Sequence, residues 1–226
     1  MAKSFPNTGA TVIDTVADLP AASAALEGVM MFQKDTNELK ICDGASWISM
    51  LDTDTPPALV HIATNTLSNN SGTTFDSVFT TIYDYYRIVG HVYANSSTSI
   101  LAVFRTSGVD NASTTFRTTG TYQSFATGTQ ANVTFLLNSA NIFFGQTDAA
   151  NADSSFSHDI FNPKLTTQTL VQGQAIANHG TNAAGQSFTF YSANTSTTAF
   201  DGIRIFNPTG IGMHGKISVY GYRNSI

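Results

Sequence analysis

Residues able to do acid–base or metal chemistry are few in this chain, and they are scattered. Glu27 and Glu38 are its only glutamates. A paired-carboxylate hydrolase, which needs two acids flanking one bond, would therefore have to draw on Asp110, Asp148, Asp153, Asp159 or Asp201, and no spacing marks any two of them as a pair. Ser157-His158-Asp159 contains the residue types of a nucleophilic triad. Consecutive residues on a strand point to opposite faces, however, so the adjacency works against a triad. The sequence thus reads as a non-enzyme, with no catalytic residue assigned.

The histidines His61, His91, His158, His179 and His214 stand singly, without a His-x-x-x-His or a cysteine pair to complete a zinc set. They read as structural residues, and no metal or cofactor is expected, apart from a site that a symmetry axis could gather from several chains. Asp148 to Asp153 offers oxygen ligands without EF-hand spacing and reads as a solvated loop. Glycine motifs that cradle phosphate are absent. Sugar recognition pairs aromatic faces with amide and carboxylate hydrogen-bonders. Tyr122 and Tyr191 are the candidate glycan-facing residues, with Tyr220, Tyr222 and Trp47 in similar surroundings, although core packing would also explain aromatics on strands. Loops such as 108–115, 145–155 and 193–199 are the expected place for such a site.

Charged residues make up 11% of the chain, against roughly 25% in an ordinary soluble domain. Thr, Ser, Asn and Gly fill the polar positions instead, while a hydrophobic content of 42% is enough for a core and unlike a disordered chain. The net charge is −5 and no basic stripe exists, which argues against nucleic-acid binding. No apolar run is long enough to span a bilayer, so membrane insertion is not expected. Met1 to Pro6 lacks the apolar segment of a signal peptide, so the expectation is synthesis and folding in a cytoplasm. Cys42 is the only cysteine and reads as a packed, inert thiol. The Asn-x-Ser/Thr triplets at Asn69, Asn95, Asn111, Asn132 and Asn194 read as unmodified.

The elements that must position these residues are mostly strands. Val29 to Gln33 is an apolar run, a polar turn follows, Glu38 to Cys42 alternates with period two, and Trp47 to Met50 comes after an Asp43-Gly44 turn, predicting a three-stranded meander. It is too small to hold a core of its own and needs a partner surface. Phe32, Leu39, Ile41 and Trp47 are its candidate docking residues. Between Asp14 and Gly28 a short helix is expected, with Asp18 as N-cap and Pro20 in the first turn. Asp52 to Pro57 reads as a semi-rigid linker, placing a domain boundary after residue 57.

From Ala58 onward the pattern is strands and turns. Strands are predicted at 86–93, 99–105, 116–125 with a break at Gly120, 132–137, 141–144, 157–161, 165–177, 186–192, 202–206 and 215–222. About eight to ten short strands separated by polar turns predict a sandwich, specifically a jelly roll. Phe161-Asn162-Pro163 and Phe206-Asn207-Pro208 each read as a strand end stopped by Asn-Pro. Phe75, Val78, Phe79, Ile82, Tyr85 and Tyr86 recur at three and four, which leaves a helical turn and an extended loop both open for 74–86. The fold class is therefore all-β: a small N-terminal β-meander with a short helix, then a jelly-roll-like β-sandwich.

The pattern Val16-Ala17-Asp18-Leu19-Pro20, then Asp35-Thr36-Asn37-Glu38-Leu39, Ile41, Asp43-Gly44 and Trp47, resembles a short repeat near the N-termini of bacteriophage tail fibre and other virion appendage proteins. Phe200 to Pro208 and Gly215 to Gly221 are similar to the last two strands of β-sandwich domains of tailed-phage structural proteins. The resemblance implies a virion structural protein: a homotrimeric short tail fibre or tail appendage, docked to other virion proteins and displaying its sandwich for host-surface recognition, with a host-surface glycan as the candidate ligand of the aromatic residues named above. A capsid decoration or cement protein is the alternative, since no repetitive shaft is present, and a free lectin or adhesin is a third reading. The implied location is the virion.

Overall fold

The computed structural model describes residues 11–50, 59–147, 153–177 and 185–222. The chain divides into two compact units, Met1–Pro56 and Pro57–Ile226, a boundary beside the expected one. The linker itself lies outside the described residues.

The first unit contains a four-stranded sheet in chain order: β1 (Thr11–Ile13), β2 (Met30–Gln33), β3 (Glu38–Cys42) and β4 (Trp47–Ser49). The expected meander is present, and β1 adds a parallel strand against β2. In the turn after β3 the Asp43 carboxylate accepts the N–H groups of Ser46 at 2.6 Å and Ala45 at 2.8 Å. These bonds hold its carboxyl below the ordinary range. Gly44 supplies the positive φ, 94°, that the turn demands.

The expected helix is corrected: only a three-residue 3-10 turn forms, Val16–Asp18. Asp18 is the third residue of that turn and not its cap, and its carboxylate accepts the Thr15 N–H and hydroxyl, both at 2.9 Å. Leu19 is extended at φ −66°, ψ 126°, because Pro20 crowds the helical conformation of the residue before it. The chain then crosses one face of the meander. Gly28 N–H donates to the Cys42 carbonyl at 2.8 Å, and Trp47 Nε1–H donates to the Pro20 carbonyl at 2.8 Å. Cys42 is 1% exposed beneath this cover, a buried thiol as its position suggests.

The second unit contains β5 (Leu59–Asn70), β6 (Gly72–Phe75), β7 (Tyr85–Ala94), β8 (Thr98–Thr106), β9 (Val109–Asp110), β10 (Phe116–Ser124), β11 (Gln130–Ser139), β12 (Asn141–Thr147), β13 (Ser154–Phe161), β14 (Leu170–Ala177), β15 (Gln186–Asn194), β16 (Gly202–Phe206) and β17 (Met213–Tyr222). The large sheet runs β11-β10-β15-β14-β13-β7-β17-β5, and the small one β12-β8-β16-β6 with β9 against β8. Consider β5, β6, β7, β8, β12, β13, β16 and β17 in chain order. The first, eighth, third and sixth lie side by side in the large sheet, and the second, seventh, fourth and fifth in the small one. That alternation is the order of a jelly roll, as expected. Two insertions, β10 with β11 and β14 with β15, extend the large sheet beyond β13.

Aromatic rings fill the space between the sheets. Phe104 stacks on Phe200 at 4.8 Å and on Phe116 at 5.3 Å, and Phe135 of β11 stacks on Phe143 of β12 at 4.6 Å. The 74–86 stretch is not helical. Between β6 and β7 it runs as an irregular loop that buries Phe79 and leaves Ile82 65% exposed, and Tyr86, the second residue of β7, is buried as well. The Tyr86 hydroxyl donates to the Thr80 carbonyl at 2.9 Å and accepts its N–H at 2.7 Å, closing the loop over the core.

β5 and β6 carry no strand prediction. β5 is an edge strand with only Leu67 buried, so Asn, Ser and Thr occupy positions where a central strand would show apolar alternation. β10 runs through Gly120 without the expected break. β14 begins at Leu170 and not at Leu165, whose N–H closes a turn on the Asn162 carbonyl at 3.2 Å. Both Asn-Pro sequences do end strands, β13 at Phe161 and β16 at Phe206.

Candidate functional site

The outer face of the large sheet is built by register. Arg87 on β7 pairs with Asp159 on β13, Asp159 with Gln172 on β14, Gln172 with Tyr191 on β15, and Tyr191 with Thr119 on β10. A second row, Tyr85, Phe161, Leu170, Ala193 and Arg117, lies two residues along the same strands. A third, on the other side, includes Ser157, Gln174 and Thr189. Directly paired residues share a face, so the three rows form one surface roughly 5 Å between strands and 7 Å between rows.

Its most ordered part is the first row. Arg87 grips Asp159 with two hydrogen bonds, Nε to Oδ1 at 2.7 Å and a terminal nitrogen to Oδ2 at 2.8 Å. Tyr222 of β17 donates its hydroxyl to the same carboxylate at 2.9 Å, and its ring lies 5.5 Å from the guanidinium. Burial works to raise the Asp159 carboxyl, but the bonds from Arg87 and Tyr222 outweigh it and the group is lowered. The Arg87 guanidinium is raised in turn, chiefly by its bond to Asp159. The Tyr222 hydroxyl is raised by burial first and by Asp159 second.

Two adjoining hollows open on this face and share Gln172 and Tyr191. One, of about 410 Å³, is polar, with Arg87, Asp159, Ser157, Gln174 and Thr189 around it. The other, of about 540 Å³, is mainly apolar, with Phe161 and Leu170 in its wall and Arg117 at its margin. Tyr191 is 56% exposed and Leu170 44% exposed, while Phe161 is braced edge-on by Tyr85 at 5.4 Å. Unlike Arg87, Arg117 forms no ion pair among the described residues.

Of the candidate glycan-facing residues, Tyr191 lines both hollows and Tyr122 does not. Tyr122 pairs with Phe188 and packs against the core, on the opposite side of the sheet from Tyr191. The hollows lie on strands and not on the loops where such a site is expected. The sequence assigns no role to Arg87, Gln172, Gln174 or Arg117, and it raises Asp159 only as a hydrolase carboxylate or triad acid. The available signal was the alternation in β13 and β14, which places polar side chains between buried ones.

The other chemistry-bearing residues are separated. His158 is fully buried on the inner face, with Ser157 and Asp159 on the outer one, as alternation requires. Its Nε2–H donates to the Phe144 carbonyl at 2.9 Å, and its ring stacks 4.0 Å from Phe144. Asp110 is held by Arg105 and Arg204, Asp201 accepts the Ser107 N–H at 2.9 Å, and exposed Asp153 lies 3.7 Å from His91. His61 bonds Thr64 at 2.8 Å, and His214 stacks on Tyr93. His179 and Asp148 lie outside the described residues. Among the described residues no three His, Cys, Asp or Glu side chains converge on a metal position, and no helix is long and apolar enough to cross a membrane.

In the first unit, Phe32, Leu39 and Ile41 lie together on one face of the sheet. The register adds Met30 and Ile48 beside Ile41, and Val12 beside Phe32. Trp47 is not among them: it pairs with buried Cys42 and belongs to the face covered by the chain around Pro20. Comparison with family models, curated proteins and solved structures returns no match for this chain.

Proposed function

We propose that the protein is a structural component of a tailed-phage virion, a short tail fibre or tail appendage. In this reading the first unit joins its sibling subunits in a homotrimer held to other virion proteins, and the jelly roll meets the host surface. It is a binding and assembly protein and not an enzyme. The observation that carries the reading is the uncovered face of the first unit. Val12, Met30 and Ile48 are 54%, 45% and 48% exposed there, beside half-buried Phe32, Leu39 and Ile41. A sheet this small, with one face closed by its own chain and the other apolar, gains stability when copies cover one another. The fibre-like motif between Val16 and Trp47 supports the same reading.

The test is immunogold labelling of purified particles of the encoding phage. Label on the tail is the expected result. Label at many copies on the head would replace the fibre reading by a capsid decoration, and absence from particles would overturn a virion role altogether.

A further inference from the structure

We propose that the outer face of the large sheet binds an anionic saccharide across strands β13, β14, β15 and β10, with Tyr191 as the stacking platform and Arg117 as the charge partner. This deepens the reading of the jelly roll as a host-recognition module and rests on it for biological meaning, although the binding itself does not depend on where the protein sits.

The ligand class follows from what the two hollows present. A sugar ring has an apolar C–H face and a rim of hydroxyls. Tyr191 offers an exposed ring at the ridge common to both hollows, suited to the C–H face. On one side the amides of Gln172 and Gln174 and the hydroxyls of Ser157 and Thr189 can each donate and accept, which matches hydroxyls that do the same. Asp159 is already anchored by Arg87 and Tyr222. Its position therefore costs no ordering when a ligand arrives, and its charge is balanced. On the other side Leu170 and Phe161 provide an apolar wall.

Arg117 sets the charge of the ligand. It stands at the end of the apolar row with no carboxylate of the described chain against it. A guanidinium in that position favours a carboxylate or phosphate, which it can hold with two parallel hydrogen bonds. A neutral glycan would leave that donor fork unused. The surface is also built on strands, so register fixes the points at which the platform and the charge leave the sheet.

The experiment uses the purified full-length protein on an array of oligogalacturonates, sialylated oligosaccharides and phosphosugar oligomers, each beside its methyl-esterified, asialo or dephosphorylated counterpart. Hits are followed by titration calorimetry. Retention of an anionic form over its neutral counterpart is expected, and the carboxylate and phosphate arms distinguish the two sources of charge. Arg117→Gln should weaken the anionic ligand about tenfold or more while leaving the neutral counterpart unchanged, as expected for loss of a charge-assisted bond. Tyr191→Ala should weaken both forms by roughly tenfold. Both side chains are exposed, so circular dichroism and the unfolding midpoint should not move.

Retention of no anionic saccharide would overturn the proposal, as would binding that survives both substitutions. Binding of neutral forms alone would overturn the role of Arg117 and with it the ligand class. None of these outcomes depends on where label falls on a particle, so failure here is distinguishable from failure of the virion reading.

Discussion

A Cβ placed on Gly173 would lie 2.2 Å from Nδ1 of His158. The two residues face each other across the β13–β14 pair, and the imidazole fills the space that any side chain at 173 would need. That ring cannot retreat easily, because Phe144 stacks on it at 4.0 Å and Phe190 lies parallel to it at 5.7 Å. Gly173→Ala should therefore lower stability by roughly 1–3 kcal/mol through overpacking. Chemical denaturation of the variant would show it, and an unchanged midpoint would mean that the ring has room to move.

His158 also makes stability depend on pH. Burial, only partly opposed by the bond to Phe144 and the charge of Asp159, pushes its imidazole down to about 4 from an ordinary 6.5. The folded state thus refuses a proton that the unfolded chain accepts. Its contribution is fully present above pH 6.5 and drains away as pH falls toward 4, amounting to about 3 kcal/mol over that window. Lowered carboxyls such as Asp159 act later, below their ordinary 3.8. Unfolding free energies at pH 7 and pH 4.5 should differ in the wild type and converge in His158→Gln. Equal slopes in the two proteins would refute the assignment.

The Arg87–Asp159 pair should be energetically coupled. Its side chains are 37% and 19% exposed, so solvent screens the charges in part, but the bidentate geometry lifts the pair above an ordinary surface bridge. A double-mutant cycle with Arg87→Ala and Asp159→Ala should return a coupling of about 1 kcal/mol. A value near zero would show that Tyr222 and solvent satisfy the carboxylate without Arg87.

Assembly should fail when the open face of the first unit is made polar. Met30→Glu and Ile48→Glu put charge beside Ile41 at positions 45% and 48% exposed, where an isolated chain tolerates it. Wild-type protein is expected to sediment as a trimer and each variant as a monomer, with strand content retained. A wild type that is monomeric throughout would sink the assembly reading.

Much of the fold was legible in short stretches. The alternation in Glu38 to Cys42 appears as β3 with the expected bounds, and the Asn-Pro sequences stop β13 and β16 where they stand. The helix expected near Asp18 did not form, because Pro20 acts on Leu19 more strongly than the alanines that follow favour helix. β5 was silent for the opposite reason: an edge strand buries little, so nothing in Asn65, Thr66, Ser68 or Asn69 had to be apolar.

The sequence by itself determined an all-β chain in two parts, because strand alternation, turn chemistry and proline stops act over a few residues and are written where they act. Only the tertiary structure decided which outward residues became neighbours. Arg87, Asp159, Gln172 and Tyr191 come from four strands, three consecutive and one, β7, far earlier in the chain. They meet because packing of the inner face, His158 against Phe144 and Phe190 among it, selects the register. A slip of one residue would bury that row and expose the rings. The candidate site is thus positioned by residues on the other side of the sheet, which is why its own residue types did not announce it.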